Sequence, residues 1–201
     1  MKSNSLSLSG LVIARDGALL SDPVTLALAA GEMLVIHGKN GSGKSTLLKT
    51  IANLLPIHEG SINVNGVWPA ESKPLYLGHK RGLVPSMSVY DNVSFWAKAA
   101  CYPELTLAAM RYFDLEDAAA ISVGELSAGW QQRVALTRLI TMPSTLWLLD
   151  EPTANLDTEG MALLQSLIQS RLEQGGIILI ASHMGMQGGA IKTLNLSSLV
   201  E

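Results

Sequence analysis

Cysteine occurs once in this chain, at Cys101, so no internal disulfide framework is available. That usage suits a reducing compartment, and a lone cysteine outside any C-x-x-C-H pattern offers no haem attachment site. Charge is scarce as well: 15% of residues are Asp, Glu, Lys or Arg, against roughly a quarter in an average soluble domain. The formal net charge of −3 gives no electrostatic basis for nucleic acid as the main ligand. Long apolar runs are also missing. None approaches the ~18 residues that a membrane-spanning helix needs, although mean hydropathy is +0.28. Apolar character without a span points to a sizeable core and to an apolar contact surface for a partner. Residues 1–10 carry one lysine and alternating Ser and Leu, with no apolar h-region, and are expected to begin a strand rather than a signal peptide. Internal repeats and coiled-coil heptads are absent too. One domain with a small insertion is the expectation for 201 residues.

What is present is patterned. Leu6, Leu8 and Val12 share one side of an alternating stretch, and Thr25-Leu26-Ala27-Leu28 continues the strand signal after a turn at Ser21-Asp22-Pro23. Residues 46–55 are expected to form a helix stopped by Pro56, residues 61–65 a short strand, and Leu75-Tyr76-Leu77 a buried strand ending at Gly78-His79. From about residue 80 to 125 the β-branched runs disappear. Ser88 can cap a helix carrying Val89, Val93, Phe95 and Trp96, and residues 105–113 and 116–120 read as further short helices. This stretch is expected to be a helical subdomain inserted in an α/β core. Residues 131–140 and 159–172 have helical spacing. Thr145-Leu146-Trp147-Leu148-Leu149 and Ile177-Ile178-Leu179-Ile180 are short apolar runs of the kind buried inside a parallel sheet, and residues 191–196 look like a last strand.

The stretch Gly38-Lys39-Asn40-Gly41-Ser42-Gly43-Lys44-Ser45-Thr46 fits G-x-x-x-x-G-K-[S/T] throughout. It follows the apolar run Met33-Leu34-Val35-Ile36 and leads into a helical pattern, the strand–turn–helix context that a phosphate-binding loop requires. Its glycines allow successive backbone N–H groups to form an anion nest at a helix N-terminus. Lys44 can then reach the terminal phosphates, and the Ser45 hydroxyl can hold Mg²⁺. A second signal is Leu146-Trp147-Leu148-Leu149-Asp150-Glu151, an acidic pair at the end of a buried strand, where α/β sheets bind ligands. Asp150 suits the outer coordination of Mg²⁺, through water, and Glu151 suits polarisation of an attacking water.

A third signal is Leu126-Ser127-Ala128-Gly129-Trp130. With Ser127 as N-cap and Gly129 permitting close backbone approach, it makes a second phosphate site. One nucleotide has no use for two phosphate sites in a single chain, so the pair implies two chains clasping ATP between them.

These stretches together resemble the ATP-binding cassette (ABC) family over nearly the whole chain. The resemblance implies an α/β P-loop NTPase fold, an ABC-type nucleotide-binding domain spanning 1–201. It would have an antiparallel β flank and a helical subdomain at about 80–125. In that family the third signal reads Leu-Ser-Gly-Gly-Gln; here Ala128 and Trp130 depart from it, while Ser127 and Gly129 are the residues expected to touch the γ-phosphate held by the opposite chain. Asn155-Leu156-Asp157 looks like the loop that aligns the two active sites, and His183 matches the family's γ-phosphate-contacting histidine. His79 stands where the family carries a glutamine that senses Mg²⁺, water and the membrane partner; an imidazole can hydrogen-bond to water but differs from an amide in reach. The aromatic that many members stack on adenine is missing from Val12-Ile13-Ala14-Arg15-Asp16-Gly17. Arg15 is equally compatible with stacking on the base and with an exposed turn.

Residues 76–79, 126–139 and 145–152 further resemble the ATPase subunits of bacterial haem exporters that serve c-type cytochrome maturation. That resemblance implies ATP and Mg²⁺ as cofactors and a second ATPase chain as partner. It also implies membrane subunits of the cytochrome c maturation system, docking near residues 86–96, and a peripheral position on the cytoplasmic face of the inner membrane. The alternatives are the ATPase of a transporter with another substrate, a soluble non-transport cassette protein, and a P-loop small-molecule kinase.

Overall fold

The computed structural model describes residues 4–15, 18–65, 73–182 and 190–196. The chain divides into two units, residues 1–78, 144–151 and 168–201 in the first, and 79–143 and 152–167 in the second.

In the first unit, β1 (Ser5–Val12), β4 (Val24–Ala29) and β6 (Glu59–Val64) form an antiparallel sheet in the order β4-β1-β6, and β2 (Ala14–Arg15) pairs with β3 (Ala18–Leu19). A separate parallel sheet joins β5 (Glu32–His37), β7 (Leu75–Leu77), β8 (Leu146–Asp150), β9 (Ile177–Ala181) and β10 (Ala190–Asn195) in the order β10-β5-β9-β8-β7. All residues of β8 and β9 are buried, which is why their sequences are unbroken apolar runs rather than alternations. Leu146 and Leu148 of β8 and Leu34 and Ile36 of β5 share one core cluster with Leu47, Leu48 and Ile51 of α1 (Lys44–Ile51).

The parallel register sets the functional edge. Ala181 pairs with both Ile36 and Asp150, and Leu77 pairs with Leu149, so the loops leaving β5, β8, β9 and β7 emerge at one end of the sheet. That end, outside the carboxyl termini of the strands, is where open α/β sheets bind ligands. Helix α1 ends before the expected stop at Pro56. Asn53 adopts φ 58, its amide donates to Thr50 O, and the Leu54 amide donates to Lys49 O, which is a Schellman closure built on asparagine.

The second unit contains α2 (Val89–Ala99), α3 (Leu105–Tyr112), a 3₁₀ turn (Val123–Glu125), α4 (Ala128–Leu136), α5 (Arg138–Thr141) and the first ten residues of α6 (Thr158–Glu173). Ser88 caps α2 as its sequence predicts: Oγ accepts from the Asp91 amide at 3.0 Å and donates to the Asp91 carboxylate at 2.7 Å. Buried Asn92 then ties the preceding loop down, accepting from the Val84 amide and donating to Val84 O and Ser88 O. Residues 116–120 are turns, not the expected helix. Their amides close i→i+3 bonds, and the Ala119 and Ile121 carbonyls accept from the Tyr90 and Val89 amides of α2 instead of continuing a helix.

The expected helix 131–140 starts three residues earlier, at Ala128, and is interrupted at Thr137. The Thr137 hydroxyl donates to Val134 O at 2.6 Å, the local back-bonding that bends helices. Arg138, just beyond, is buried with its guanidinium 5.0 Å from the centre of the Trp96 ring and a 2.7 Å bond to Arg81 O. Burial pushes its pKa down to about 10.

Candidate nucleotide site

The phosphate loop runs from Gly38 to Gly43, between β5 and α1. Gly43 is the N-cap of α1 in a left-handed conformation, φ 95, and supplies no side-chain cap to the first helical amides. Other residues reach that conformation only at a steric cost, and a Cβ at Gly43 would also meet Ile13 Cδ1 at 2.8 Å. The uncapped first turn and its positive dipole end favour an anion. Ser42 Oγ is buried and has no partner among the described residues, and an orphaned donor in a loop of this kind fits a phosphate oxygen. Lys44 is buried, and its ammonium donates to Gly38 O at 2.6 Å and Lys39 O at 3.0 Å, which lays the side chain along the loop. Of its three protons, those carbonyls take two.

Asp150 closes β8 at 6% exposure and accepts a hydrogen bond from the Tyr76 hydroxyl at 3.3 Å. Burial first, and then the neighbouring carboxylate, raise the pKa of that phenol. Glu151 follows with φ 50, a left-handed conformation in a residue with a full side chain, and its amide donates to Ala181 O at 2.8 Å. Such conformations cost of order 1–3 kcal/mol and cluster at functional sites. Ser45 and Asp150 together offer a hydroxyl and a carboxylate, hard oxygen donors of the type Mg²⁺ takes beside water and phosphate. Among the described residues no group of three or more His, Cys, Asp or Glu could hold a metal by itself. A Mg²⁺ arriving with the nucleotide's own oxygens fits this donor set.

The second unit holds the rest of the expected set. Ser127 caps α4, accepting from the Trp130 amide at 3.4 Å. Gly129 lies in the first turn of that helix, where a Cβ would meet Asn155 O at 2.7 Å, so the glycine is there for space. Asn155 itself has φ 65. Arg133, also on α4 and buried, donates to both oxygens of Asp157 at 2.9 and 3.0 Å and to Glu159 at 2.8 Å. Those bonds outweigh the cost of burial and raise the guanidinium's pKa. Asp157 is held below the usual carboxylate range by Arg133 and by the Gly160 amide. His79 is exposed and, with Lys80, Arg81 and Gln131, lines a cavity of about 540 Å³. His183 and the side chain of Arg15 lie outside the described residues.

Two positions were not singled out from the sequence. Tyr76 looks like the middle of an ordinary buried strand, and only the hydroxyl between two leucines marks it. Arg133 is one basic residue on a helix, and its acidic partners, Asp114, Asp157 and Glu159, lie 19, 24 and 26 positions away.

A phosphate loop, an acidic pair at the end of the neighbouring strand but one, and a second capped glycine turn define a P-loop ATPase of the cassette type. Residues 21–154 match the family described as "ABC transporter", and the chain belongs to the ABC transporter ATPase family.

Within that family it resembles proteins named cytochrome c biogenesis ATP-binding export protein CcmA. The Ruegeria pomeroyi protein is 38% identical over 90% of this chain and 86% of its own length. The Rhodobacter capsulatus protein is 37% identical over 96% of this chain and 87% of its own. A solved ATP-binding protein of an ABC transporter from Pyrococcus furiosus superposes with a TM-score of 0.82 at 26% identity, covering 96% of this chain and 97% of that one. A dimeric ATP-binding cassette carrying ADP and Pi shares the fold at a TM-score of 0.77 and 23% identity, covering 89% and 88%. The fold is therefore the P-loop ABC nucleotide-binding fold, mixed α/β with an inserted helical subdomain. No described helix is long and apolar enough to cross a membrane.

Proposed function

We propose that this chain is the ATP-hydrolysing subunit of a membrane transporter that drives haem export, or haem-chaperone release, for c-type cytochrome maturation. The observation that carries the reading is the 38% identity to a cytochrome c biogenesis ATP-binding export protein across 90% of the chain. In this reading residues 1–201 form one nucleotide-binding domain with a helical insertion near 80–125, and two copies face each other head to tail.

The loop amides of residues 38–46 hold the phosphates of ATP in one copy, and Lys44 draws charge from the terminal phosphate. Ser45 would hold Mg²⁺ through its hydroxyl and Asp150 would hold it through water; when bound, the metal would supply charge neutralisation on the phosphate oxygens. Glu151 orients a water in line with the γ-phosphorus and accepts its proton, while ADP leaves as the P–O bond breaks. His183 stabilises charge on the γ-phosphate. Ser127 and the Gly129 amide of the opposite copy close the site, so hydrolysis is tied to dimer closure. His79 reports the state of the site toward the membrane partner.

The docking face in this reading surrounds α2, where Val84, Tyr90 and Phe95 are exposed at 47, 43 and 56%. Exposed large apolar side chains on neighbouring turns are what an apolar partner segment would cover. The chain would then sit peripherally on the cytoplasmic face of the inner membrane. Purification of the intact complex from membranes, with mass spectrometric identification of what accompanies the chain, tests this. Recovery of membrane subunits of the cytochrome c maturation system is expected; reproducible recovery of a different transporter would replace the haem assignment.

A further inference from the structure

Tyr76 and Gly78 are not among the residues that handle nucleotide in the reading above, yet they lie against one that does. Tyr76 pairs with Leu148 in the parallel register of β7 and β8, and Asp150 is two residues further along β8. Side chains two apart on a strand share a face, so a tyrosine at 76 leaning along its strand reaches the Asp150 carboxylate. Its hydroxyl donates to Asp150 Oδ2 at 3.3 Å. The ring gets there because position 78, the next residue on that face, has no side chain. A Cβ on Gly78 would lie 2.6 Å from the Tyr76 hydroxyl oxygen, 2.7 Å from Cε1 and 2.8 Å from Cζ. Real Cβ atoms do not approach that closely. Gly78 has no positive φ to demand a glycine, so it is the ring that excludes a side chain there.

We propose that Tyr76 is a positioning residue for Asp150, with Gly78 keeping open the space in which its ring lies. The torsion that turns a carboxylate about its Cβ–Cγ bond is broad, so rotamer preference alone does not fix where the two oxygens point. Asp150 is buried, and Tyr76 is the one hydroxyl that donates to it among the described residues. A donor on Oδ2 fixes that rotation and readies the carboxylate for a metal's hydration shell before nucleotide arrives. Donors of this kind behind a direct metal ligand change metal affinity by about 10–100-fold when removed. Asp150 would reach the metal through water, and a 3.3 Å contact is long for O–H···O, so the expected effect lies at the bottom of that range, near tenfold.

The inference rests on the reading of Asp150 as the Mg²⁺ partner, and the test separates the two. Mn²⁺ would be titrated by electron paramagnetic resonance into the full chain saturated with a non-hydrolysable ATP analogue. The wild type would be compared with Tyr76→Phe, Gly78→Ala, the two combined, and Asp150→Asn. Tyr76→Phe should weaken Mn²⁺ about tenfold while metal-free ATP affinity, measured in EDTA, and the thermal midpoint stay as in the wild type. Gly78→Ala keeps the hydroxyl but displaces it, so it should weaken Mn²⁺ in the same way. It also decides the matter if Tyr76→Phe fails to fold. The combined variant should be no worse than Tyr76→Phe, as expected for two residues acting through one contact. Wild-type Mn²⁺ affinity in Tyr76→Phe, with loss in Asp150→Asn, overturns the inference and leaves Asp150 in place. Equal weakening of metal-free ATP and of Mn²⁺ overturns it as well, because the tyrosine would then be holding up the site as a whole. Wild-type affinity in Asp150→Asn overturns both readings together.

Discussion

The ammonium of Lys44 sits 2.6 Å from the carbonyl oxygen of Gly38, six residues back along the same loop. The cation proposed to meet phosphate is thus positioned by the backbone of its own loop. Lys44→Ala removes both that tether and the proposed charge-assisted contact to phosphate. It should nearly abolish hydrolysis and weaken ATP binding, read as phosphate release and as nucleotide affinity on the folded variant. Wild-type values for both would remove Lys44 from the site.

Glu151→Gln keeps the shape of the side chain and removes the carboxylate proposed to orient water. ATP should still bind, turnover should fall by a factor of at least about 10², and a nucleotide-clasped dimer should accumulate in light scattering. Normal turnover without an ATP-dependent dimer would mean that another group activates the water.

Sharing of the site between copies is testable by mixing. Ser127→Ala alone is ambiguous, since loss of an N-cap costs about 1 kcal/mol whatever else the serine does. Ser127→Arg, mixed with Lys44→Ala at high protein concentration, places both lesions in one composite site and leaves the other intact. Hydrolysis should recover to as much as half that of the wild type per mixed dimer, with ATP-dependent association measured in parallel. Mixed dimers that clasp nucleotide yet show neither hydrolysis nor a Ser127 contact across the interface would return Ser127 to a helix cap.

Arg133 gives a stability prediction with a pH signature. The buried guanidinium gathers Asp157 and Glu159. Arg133→Met should lower the thermal midpoint at neutral pH by several degrees, equivalent to roughly 1–2 kcal/mol in a chain of this size. Asp157 has its pKa lowered on folding, so its contribution is present above the ordinary carboxylate value and is lost as pH falls through the lower folded value. The gap between wild type and Arg133→Met should therefore narrow in acid below about pH 4. A gap that stays constant down to that range would show that Arg133 acts through packing alone.

The candidate phosphate-binding residues were legible because their chemistry is local. A glycine-rich loop, the strand before it and the helix after it lie in one stretch, and the burial of β8 and β9 follows from apolar runs that contain their own explanation. Helix boundaries were less legible. Pro56 is the obvious breaker, but Asn53 ends α1 by taking a left-handed conformation that asparagine adopts only in some contexts. Residues 116–120 have helical composition, and only the amides of α2, distant in sequence, show why they stay as turns. Tyr76 and Arg133 were missed for the same reason: each acts on a carboxylate brought near by pairing or packing, and spacing along the chain carries no trace of that.

Gly129 has a consequence for what this chain can tolerate by substitution. Position 128 carries a methyl and position 130 an indole where the family pattern has glycine and glutamine, so both neighbours have room to vary. Position 129 has a carbonyl at its back: any side chain would be driven into Asn155 O. The strain would fall first on the segment from Asn155 to Asp157, and only afterwards on the face proposed to meet nucleotide. Damage at this glycine would therefore surface as misalignment of a loop 26 residues downstream, and a suppressor would be sought there rather than beside the lesion.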